Sequence, residues 1–286
     1  MSSGILVVAC ALAVVLAAVA ALRARSERDA LRRRLDDLER SRDELVACVS
    51  HELRTPLNAV LGWARLLHSG RLDAACAARA IEGIERGATA EAQIVDDLLD
   101  VARIARGELR LDVRAVDLVP VVEAAVAAVR PAAATRGIAL SVALEPKPGA
   151  VSGDPGRLQQ AVWNLLSNAV KFTPEGGRVE VRLRREGDAA VIRVTDTGEG
   201  FDAAFAPHLF ERFRQADSSL TRPHGGIGAG LAIVRHVVEA HGGTVSGYSA
   251  GRGRGATFTV RLPVARRAVA PGAGAPGPRT AAARHV

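Results

Sequence analysis

Between Val49 and Asn58 the chain reads Val-Ser-His-Glu-Leu-Arg-Thr-Pro-Leu-Asn, which sets an imidazole, a carboxylate and a hydroxyl within two turns of one predicted helix. At about 3.6 residues per turn His51 and Thr55 share a face, while Leu53, Leu57 and Val60 point elsewhere and can be buried. The imidazole is therefore expected in water. A histidine near neutral pH is partly unprotonated and so nucleophilic, and Glu52 can orient the ring and accept its proton. Taken alone, the pair reads far more readily as an ordinary histidine on a solvated helix.

Three further stretches carry polar groups in patterns that packing does not require. Asn164 and Asn168 stand four residues apart on a predicted helix and Lys171 three further on, giving one polar stripe beside Leu158, Val162, Leu165, Leu166 and Ala169. Asparagine is a mediocre helix former, so two in line with a lysine suggest ligands for a cation and a phosphate; solvation accounts for either Asn alone but poorly for the trio. Asp196-Thr197-Gly198-Glu199-Gly200-Phe201 follows a predicted strand, and its carboxylate can accept from an exocyclic amine while Gly198 and Gly200 let a flat ring approach the backbone. Gly225 to Leu231 is a glycine-rich run opening a helix, a cradle suited to an anion or simply a flexible loop. It matches neither a Walker A loop nor a dinucleotide fingerprint.

The elements that must hold these groups follow from periodicity. Gly4 to Leu22 is free of charge and close to the roughly 20 apolar residues that span a bilayer; the arginines come after it, which favours an uncleaved anchor over a signal peptide. Residues 1–22 are thus expected as a transmembrane helix, with all that follows on the cytoplasmic side of the inner (cytoplasmic) membrane, single-pass. Residues 23–44 form a predicted coiled-coil linker, with Leu31, Leu38 and Leu45 in one register and Leu35 and Val49 in the other; a single solvated helix is the alternative. Ser69-Gly70-Arg71 breaks this helix and a second runs from Asp73 to Ile104, so residues 45–107 form an antiparallel hairpin that buries its stripe by pairing with a copy of itself in a four-helix bundle. Pro56 should kink the first helix.

Residues 108–116 are expected as a hinge and 117–264 as an α+β domain, a layer of helices on one mixed sheet. Its helices fall at Leu118 to Arg130, Pro155 to Phe172 and Gly230 to His241, and its strands at Ala139–Leu144, Val179–Leu183, Ala190–Thr195, Thr244–Tyr248 and Thr257–Leu262. Asp154 is the N-cap of the middle helix, with Pro155 at its first position. From 265 to 286 the Ala, Pro, Gly and Arg composition predicts a disordered tail.

The whole chain of 286 residues has a formal net charge of +7 and only 3% aromatic residues. Basic residues are not interleaved with aromatics, so no nucleic-acid partner is expected, and membrane adjacency accounts for the charge. Cys10, Cys48 and Cys76 are too few and too far apart for a metal site or a disulfide framework.

Taken in order, the motifs resemble those of sensor histidine kinases from about Ser41 to Pro263. The His51 stretch is similar to the H box, Asn164 to Lys171 to the N box, Asp196 to Gly200 to the first glycine box, Leu209 to Phe213 to the F box, and Gly226 to Gly230 to the second glycine box. The resemblance implies a dimeric phosphoacceptor hairpin and a gyrase-type ATP-binding sandwich using ATP and Mg²⁺. Asn164 and Asn168 would hold the metal, Lys171 a phosphate and Asp196 the adenine amino group. Phe210, Phe213 and Thr257 would line the nucleotide site, and Gly226, Gly228 and Gly230 would anchor a lid. His51 would receive the γ-phosphoryl group, with Glu52 and Thr55 at positions used for base function and for hydrolysing the phosphorylated partner. That partner is expected to be the receiver domain of a separate response regulator, since no receiver aspartate is recognised here. Ala229 stands where a leucine is usual. A nucleotide-gated membrane scaffold without phosphotransfer is the alternative.

Overall fold

A computed structural model describes residues 2–214 and 227–265. The side chains of residues 2–22 and of several between 24 and 44 are outside that description, as are Gly226, most of the expected lid and the tail from residue 266. Contacts divide the described chain into two bodies, one formed by residues up to Leu109 with Phe210–Ile233, the other by Arg110–Leu209 with Val234 onward.

In the first body, helix α1 (Ser2–His68) and helix α2 (Ala74–Ala105) form the hairpin. Its break falls at residues 69–73, where Asp73 caps α2 by accepting from the Cys76 N–H at 2.7 Å. The backbone is helical through the expected membrane span, whose side chains lie outside the described residues. Helix α1 continues through Pro56. Opposite that point α2 presents glycine: a Cβ on Gly87 would lie 2.6 Å from Val60 Cγ2 and 3.2 Å from the Pro56 carbonyl oxygen, and one on Gly83 would lie 2.4 Å from Trp63 Nε1. Two glycines therefore let the helices approach across the turns that follow His51. Leu57, Leu61, Ile81, Val95 and Leu99 stay exposed on the outside of the hairpin, and Leu31 and Leu35 on its N-terminal extension.

The second body holds strand β1 (Arg114–Val116), helix α3 (Leu118–Thr135), strands β2 (Ala139–Leu144) and β3 (Val151–Gly153), and helix α4 (Pro155–Phe172). Strands β4 (Arg178–Glu186) and β5 (Ala189–Asp196), helix α5 (Gly230–Ala240), which belongs to this body from Val234 on, and strands β6 (Thr244–Tyr248) and β7 (Thr257–Pro263) follow. A mixed five-stranded sheet runs β2-β4-β5-β7-β6; β2 and β4 are parallel and the other pairs antiparallel. The β4–β5 hairpin turns at Gly187, in the left-handed region at φ 65° that suits glycine.

Alternation decides which side is covered. Val179, Val181 and Leu183 of β4, Ala190, Ile192 and Val194 of β5, and Phe258, Val260 and Leu262 of β7 are all buried, and they share one face of the sheet. Helices α3 and α4 pack on each other and on this sheet through Leu118, Val122, Leu165 and Leu166, each removed from water. Full burial of such a side chain contributes roughly 1.5–3 kcal/mol.

Three expected boundaries move. Arg114–Val116, the last residues of the expected hinge, pair antiparallel with β3 in a small second sheet. Helix α3 does not end at Arg130 but passes Pro131 to Thr135, because Val129 and Ala133 continue its buried stripe. Ala265, expected as tail, donates its N–H to the Ala150 carbonyl at 2.8 Å. Among the described residues Leu118–Thr135 is the helix long and apolar enough to cross a membrane, but Leu118, Val121, Val122, Ala125, Val126 and Val129 are core residues.

Candidate functional site

Helix α4 carries the polar stripe. Asp154 starts it, Oδ1 accepting from the N–H groups of Gly156 at 2.9 Å and Arg157 at 3.1 Å. Buried Leu158, Val162, Leu165, Leu166 and Ala169 fix its inner side. Asn164 is buried as well, only 5% exposed, and its Nδ2 has no hydrogen-bond partner. An unmade hydrogen bond on a buried amide costs about 1–3 kcal/mol, so this side chain is set by something other than folding. Asn168, one turn on, is half-buried, as is Lys171, whose Nζ lies 4.9 Å from the ring centroid of Phe172.

The C-terminal end of α4 is held from two sides. Thr173 donates its hydroxyl to the Ala169 carbonyl at 2.6 Å, and the Arg136 guanidinium donates to the Lys171 carbonyl at 2.9 Å and to that of Val170. The Phe172 carbonyl then accepts from the Glu199 N–H at 3.1 Å, which ties the end of α4 to the turn after β5. A Cβ on Gly198 would lie 2.5 Å from that same carbonyl oxygen, so only glycine fits.

Asp196, at the end of β5, is 7% exposed. Its Oδ1 accepts from the N–H groups of Gly198 at 2.8 Å and Ala256 at 3.1 Å, leaving Oδ2 as the free acceptor of the pair. Burial raises its pKa, and the two N–H donors only partly offset this. Gly200 sits at φ 59°, with Gly251 and Gly255 carbonyl oxygens where a Cβ would be. Ser249 joins the same loops, accepting from Phe201 N–H at 3.1 Å and donating to the Gly255 carbonyl at 2.7 Å. Thr257 shares a 3.2 Å hydrogen bond with Thr195 across β5 and β7.

The structure thus brings Asn164, Asn168, Lys171, Asp196, Gly198, Gly200 and Thr257 onto the end of one helix and the adjoining strand ends. Gly255, Ala256, Ser249 and Arg136 belong to the same neighbourhood and escaped the sequence reading. A Cβ on Gly255 would lie 2.1 Å from the Asp196 carbonyl oxygen. The glycine-rich run 251–255 was the available signal.

In the other body, His51 is exposed, and its Nδ1 lies 3.7 Å from Glu52 Oε1. Thr55 donates its hydroxyl to the His51 carbonyl at 3.3 Å, a bond within the helix. Phe210 and Phe213 are half-buried; Phe213 is in the left-handed region at φ 61° and donates its N–H to the Gly228 carbonyl at 3.1 Å. Gly228 sits at φ 69° just before Gly230 opens α5. No group of three or more His, Cys, Asp or Glu side chains suited to a metal occurs among the described residues. Any cation here would rest on amide oxygens and phosphate, as the asparagine stripe offers. The unpaired Nδ2 of Asn164 is a donor that suits a phosphate oxygen, and the amide oxygens of Asn164 and Asn168, with Lys171 beyond, suit the magnesium and charge of a bound triphosphate.

Comparison with known proteins gives two domain matches. Residues 41–107 match the His Kinase A (phospho-acceptor) domain, and residues 153–266 match the histidine kinase-, DNA gyrase B- and HSP90-like ATPase family. The chain is 34% identical to hybrid signal transduction histidine kinase D of Dictyostelium discoideum, over 80% of this chain and 18% of that protein. It is also 34% identical to the signal transduction histidine-protein kinase BarA of Escherichia coli K12, over 81% of this chain and 26% of that protein. Among solved structures it is similar to full-length ShkA in complex with AMPPNP, with 33% identity and a TM-score of 0.56 over 77% of this chain and 45% of that one. It shares a fold with the Acinetobacter baumannii histidine kinase AdeS, with 22% identity and a TM-score of 0.54 over 76% of this chain and 98% of that one. The chain spans 18% to 30% of the length of the first curated relatives it matches.

Proposed function

The chain belongs to the sensor histidine kinases of two-component systems, and from that premise we propose that it binds Mg²⁺-ATP on α4 and the β5 turn, phosphorylates His51, and passes the phosphoryl group to a separate response regulator. One observation carries this reading: Asn164, buried with an unpaired Nδ2 donor, lies on the helix whose end abuts the bracketed Asp196 turn, and the same chain exposes an imidazole beside a carboxylate.

Each residue then has a role. Asp196 Oδ2 accepts from the adenine amino group, while the N–H bonds to Oδ1 fix the carboxylate plane. Gly198, Gly200 and Gly255 keep the walls at backbone distance from the base, with Thr257 in the lining; the family resemblance assigns Phe210 and Phe213 to nucleotide binding as well. Lys171 neutralises phosphate charge. Asn164 and Asn168 would hold Mg²⁺, which supplies charge neutralisation on the phosphates when bound. The family resemblance assigns Gly226, Gly228 and Gly230 to nucleotide binding. AMPPNP in the ShkA structure supports a nucleoside triphosphate as ligand.

At the acceptor, Glu52 stands nearest Nδ1, which favours the tautomer with the proton there and the lone pair on Nε2. Nε2 attacks the γ-phosphorus, the bond to the β-phosphate bridging oxygen breaks, ADP leaves, and the Nδ1 proton passes to Glu52. Thr55 assists hydrolysis of the phosphorylated partner. Transfer of this kind depends on alignment and charge neutralisation.

The same reading assigns residues 45–107 to dimerisation and phosphoacceptance, 108–116 to a hinge whose last three residues are β1, 117–264 to nucleotide binding and 265–286 to the tail. Residues 1–22 anchor the chain once in the inner membrane, and 23–44 pair as a coiled coil. Exposed Leu31 and Leu35, and Leu57, Leu61, Ile81, Val95 and Leu99 on the hairpin, are the apolar surface that a second copy covers. The test is a chase: full-length protein labelled with γ-³²P-ATP is mixed with candidate receiver domains. Label moving to one receiver aspartate supports the reading, and nucleotide binding without any label on the kinase supports a scaffold.

A further inference from the structure

Asp154 does more than start α4. Its Oδ1 caps the helix, but its Oδ2 accepts from the N–H of Asp112 at 3.0 Å, 42 residues away in the chain. Its own N–H donates to Nε2 of His241 at 2.9 Å. His241 is buried, and its Nδ1 lies 2.7 Å from the Val237 carbonyl, so Nδ1 bears the hydrogen and Nε2 is an acceptor. The ring is seated against a glycine, since a Cβ on Gly153 would lie 2.3 Å from His241 Cδ2. The linker, the start of α4 and the end of α5 therefore meet at one residue.

Capping alone does not call for this arrangement, because one side-chain oxygen caps a helix and serine or asparagine does it as well. The second oxygen serves the linker. Strand β1 pairs with β3 as far as Arg114 opposite Gly153, and beyond Gly153 the chain turns into α4. There the Asp154 carboxylate takes the place of a ladder carbonyl and holds the linker one step closer to the histidine hairpin.

We infer that Asp154 is a positioning residue which fastens the linker leaving the histidine hairpin to the first turn of the nucleotide helix, and that phosphoryl transfer to His51 depends on this clasp. The inference rests on the phosphotransfer reading above. Slack at this point costs transfer rate and leaves nucleotide affinity alone, because Asn164, Asn168, Lys171 and Asp196 are untouched.

Two variants remove the same contact from opposite sides. Asp154→Ser keeps a capping oxygen and loses Oδ2; Asp112→Pro loses the donor N–H along with the side chain, and Asp112→Ala, which loses the side chain and keeps the N–H, is the control. In the full-length protein, autophosphorylation kcat falls about 10-fold or more in the first two, an order consistent with the sensitivity of transfer to small misplacements. ATP Kd stays within about 2-fold, Asp112→Ala matches wild type, and the double variant is no slower than either single one. If Asp112→Pro misfolds, Asp154→Ser with hydrogen exchange decides: the Asp112 amide loses protection while the α4 amides keep theirs. Wild-type rates in both variants, or a Kd that weakens in step with the rate, overturn the inference. An unlabelled wild type whose Asp112 amide is still protected overturns the phosphotransfer reading, and the catalytic role with it.

Discussion

His51 Nδ1 stands 3.7 Å from Glu52 Oε1 on the exposed side of the hairpin, with the imidazole open to water and the carboxylate mostly covered. The separation exceeds a direct hydrogen bond and suits a base that closes on the ring as positive charge develops. Glu52→Gln is expected to lower the autophosphorylation rate by about 100-fold, within the usual span for a lost general base, with ATP Kd unchanged. Single-turnover labelling at saturating ATP measures it.

Asn164 sets stability against function. Asn164→Leu removes a buried amide whose Nδ2 lacks a partner, so the protein should gain about 1 kcal/mol against urea while losing ATP binding. Equilibrium denaturation and nucleotide titration on the same sample measure both. A destabilised variant that still binds ATP would show that the amide is structural.

Gly255→Ala is expected to cost about 2 kcal/mol or more and to weaken ATP binding at least 10-fold. Its φ of 70° strains any other residue, and the new Cβ would press on the Asp196 carbonyl oxygen from 2.1 Å. Gly187→Ala is the comparison: φ is 65° but nothing lies within 4 Å, so the strain cost remains and ATP affinity does not change.

The hairpin should be more stable in mild acid. Burial foremost, aided by the Asp100 and Asp96 charges and opposed by the Gln93 hydrogen bond, pushes the Asp97 carboxyl up to about 6. Between the unfolded value near 4 and that folded value the native state holds the extra proton, so stability declines as pH rises through the window and the cost persists above it. Asp97→Asn should flatten this slope and add on the order of 2 kcal/mol at pH 7.5, after allowance for solvent screening. Asp154 works the other way. Although burial raises its pKa, the N–H groups of Asp112, Arg157 and Gly156 hold it below the usual range, so its contribution is present above about pH 4 and is lost as pH falls through the folded value. Thermal melts from about pH 2 to 8 on wild type and Asp97→Asn measure the slopes.

What could be read from the chain in advance was what local chemistry determines. Asp73 caps α2 as a short acidic residue before a periodic run does, and Asp154 with Pro155 opens α4 where expected. The alternation in β4, β5 and β7 gave the buried face of the sheet. Strands β1 and β3, three residues each, are too short to show a period and exist because they pair with each other. Pro131 is a local stop signal, overridden in α3 by the burial on both sides of it. The closeness of Gly255 to Asp196 arises only when β7 is laid against β5, and the Asp112–Asp154–His241 connection only when the linker, α4 and α5 fold over one another.

The central claim is tested most directly by locating the phosphoryl group. Full-length protein incubated with Mg²⁺ and γ-³²P-ATP is predicted to carry acid-labile, base-stable label that maps to His51, and to carry none after His51→Gln or Asn168→Ala, with the dimer intact in both. Label that survives His51→Gln, or a wild-type dimer that binds ATP and remains unlabelled, would contradict it.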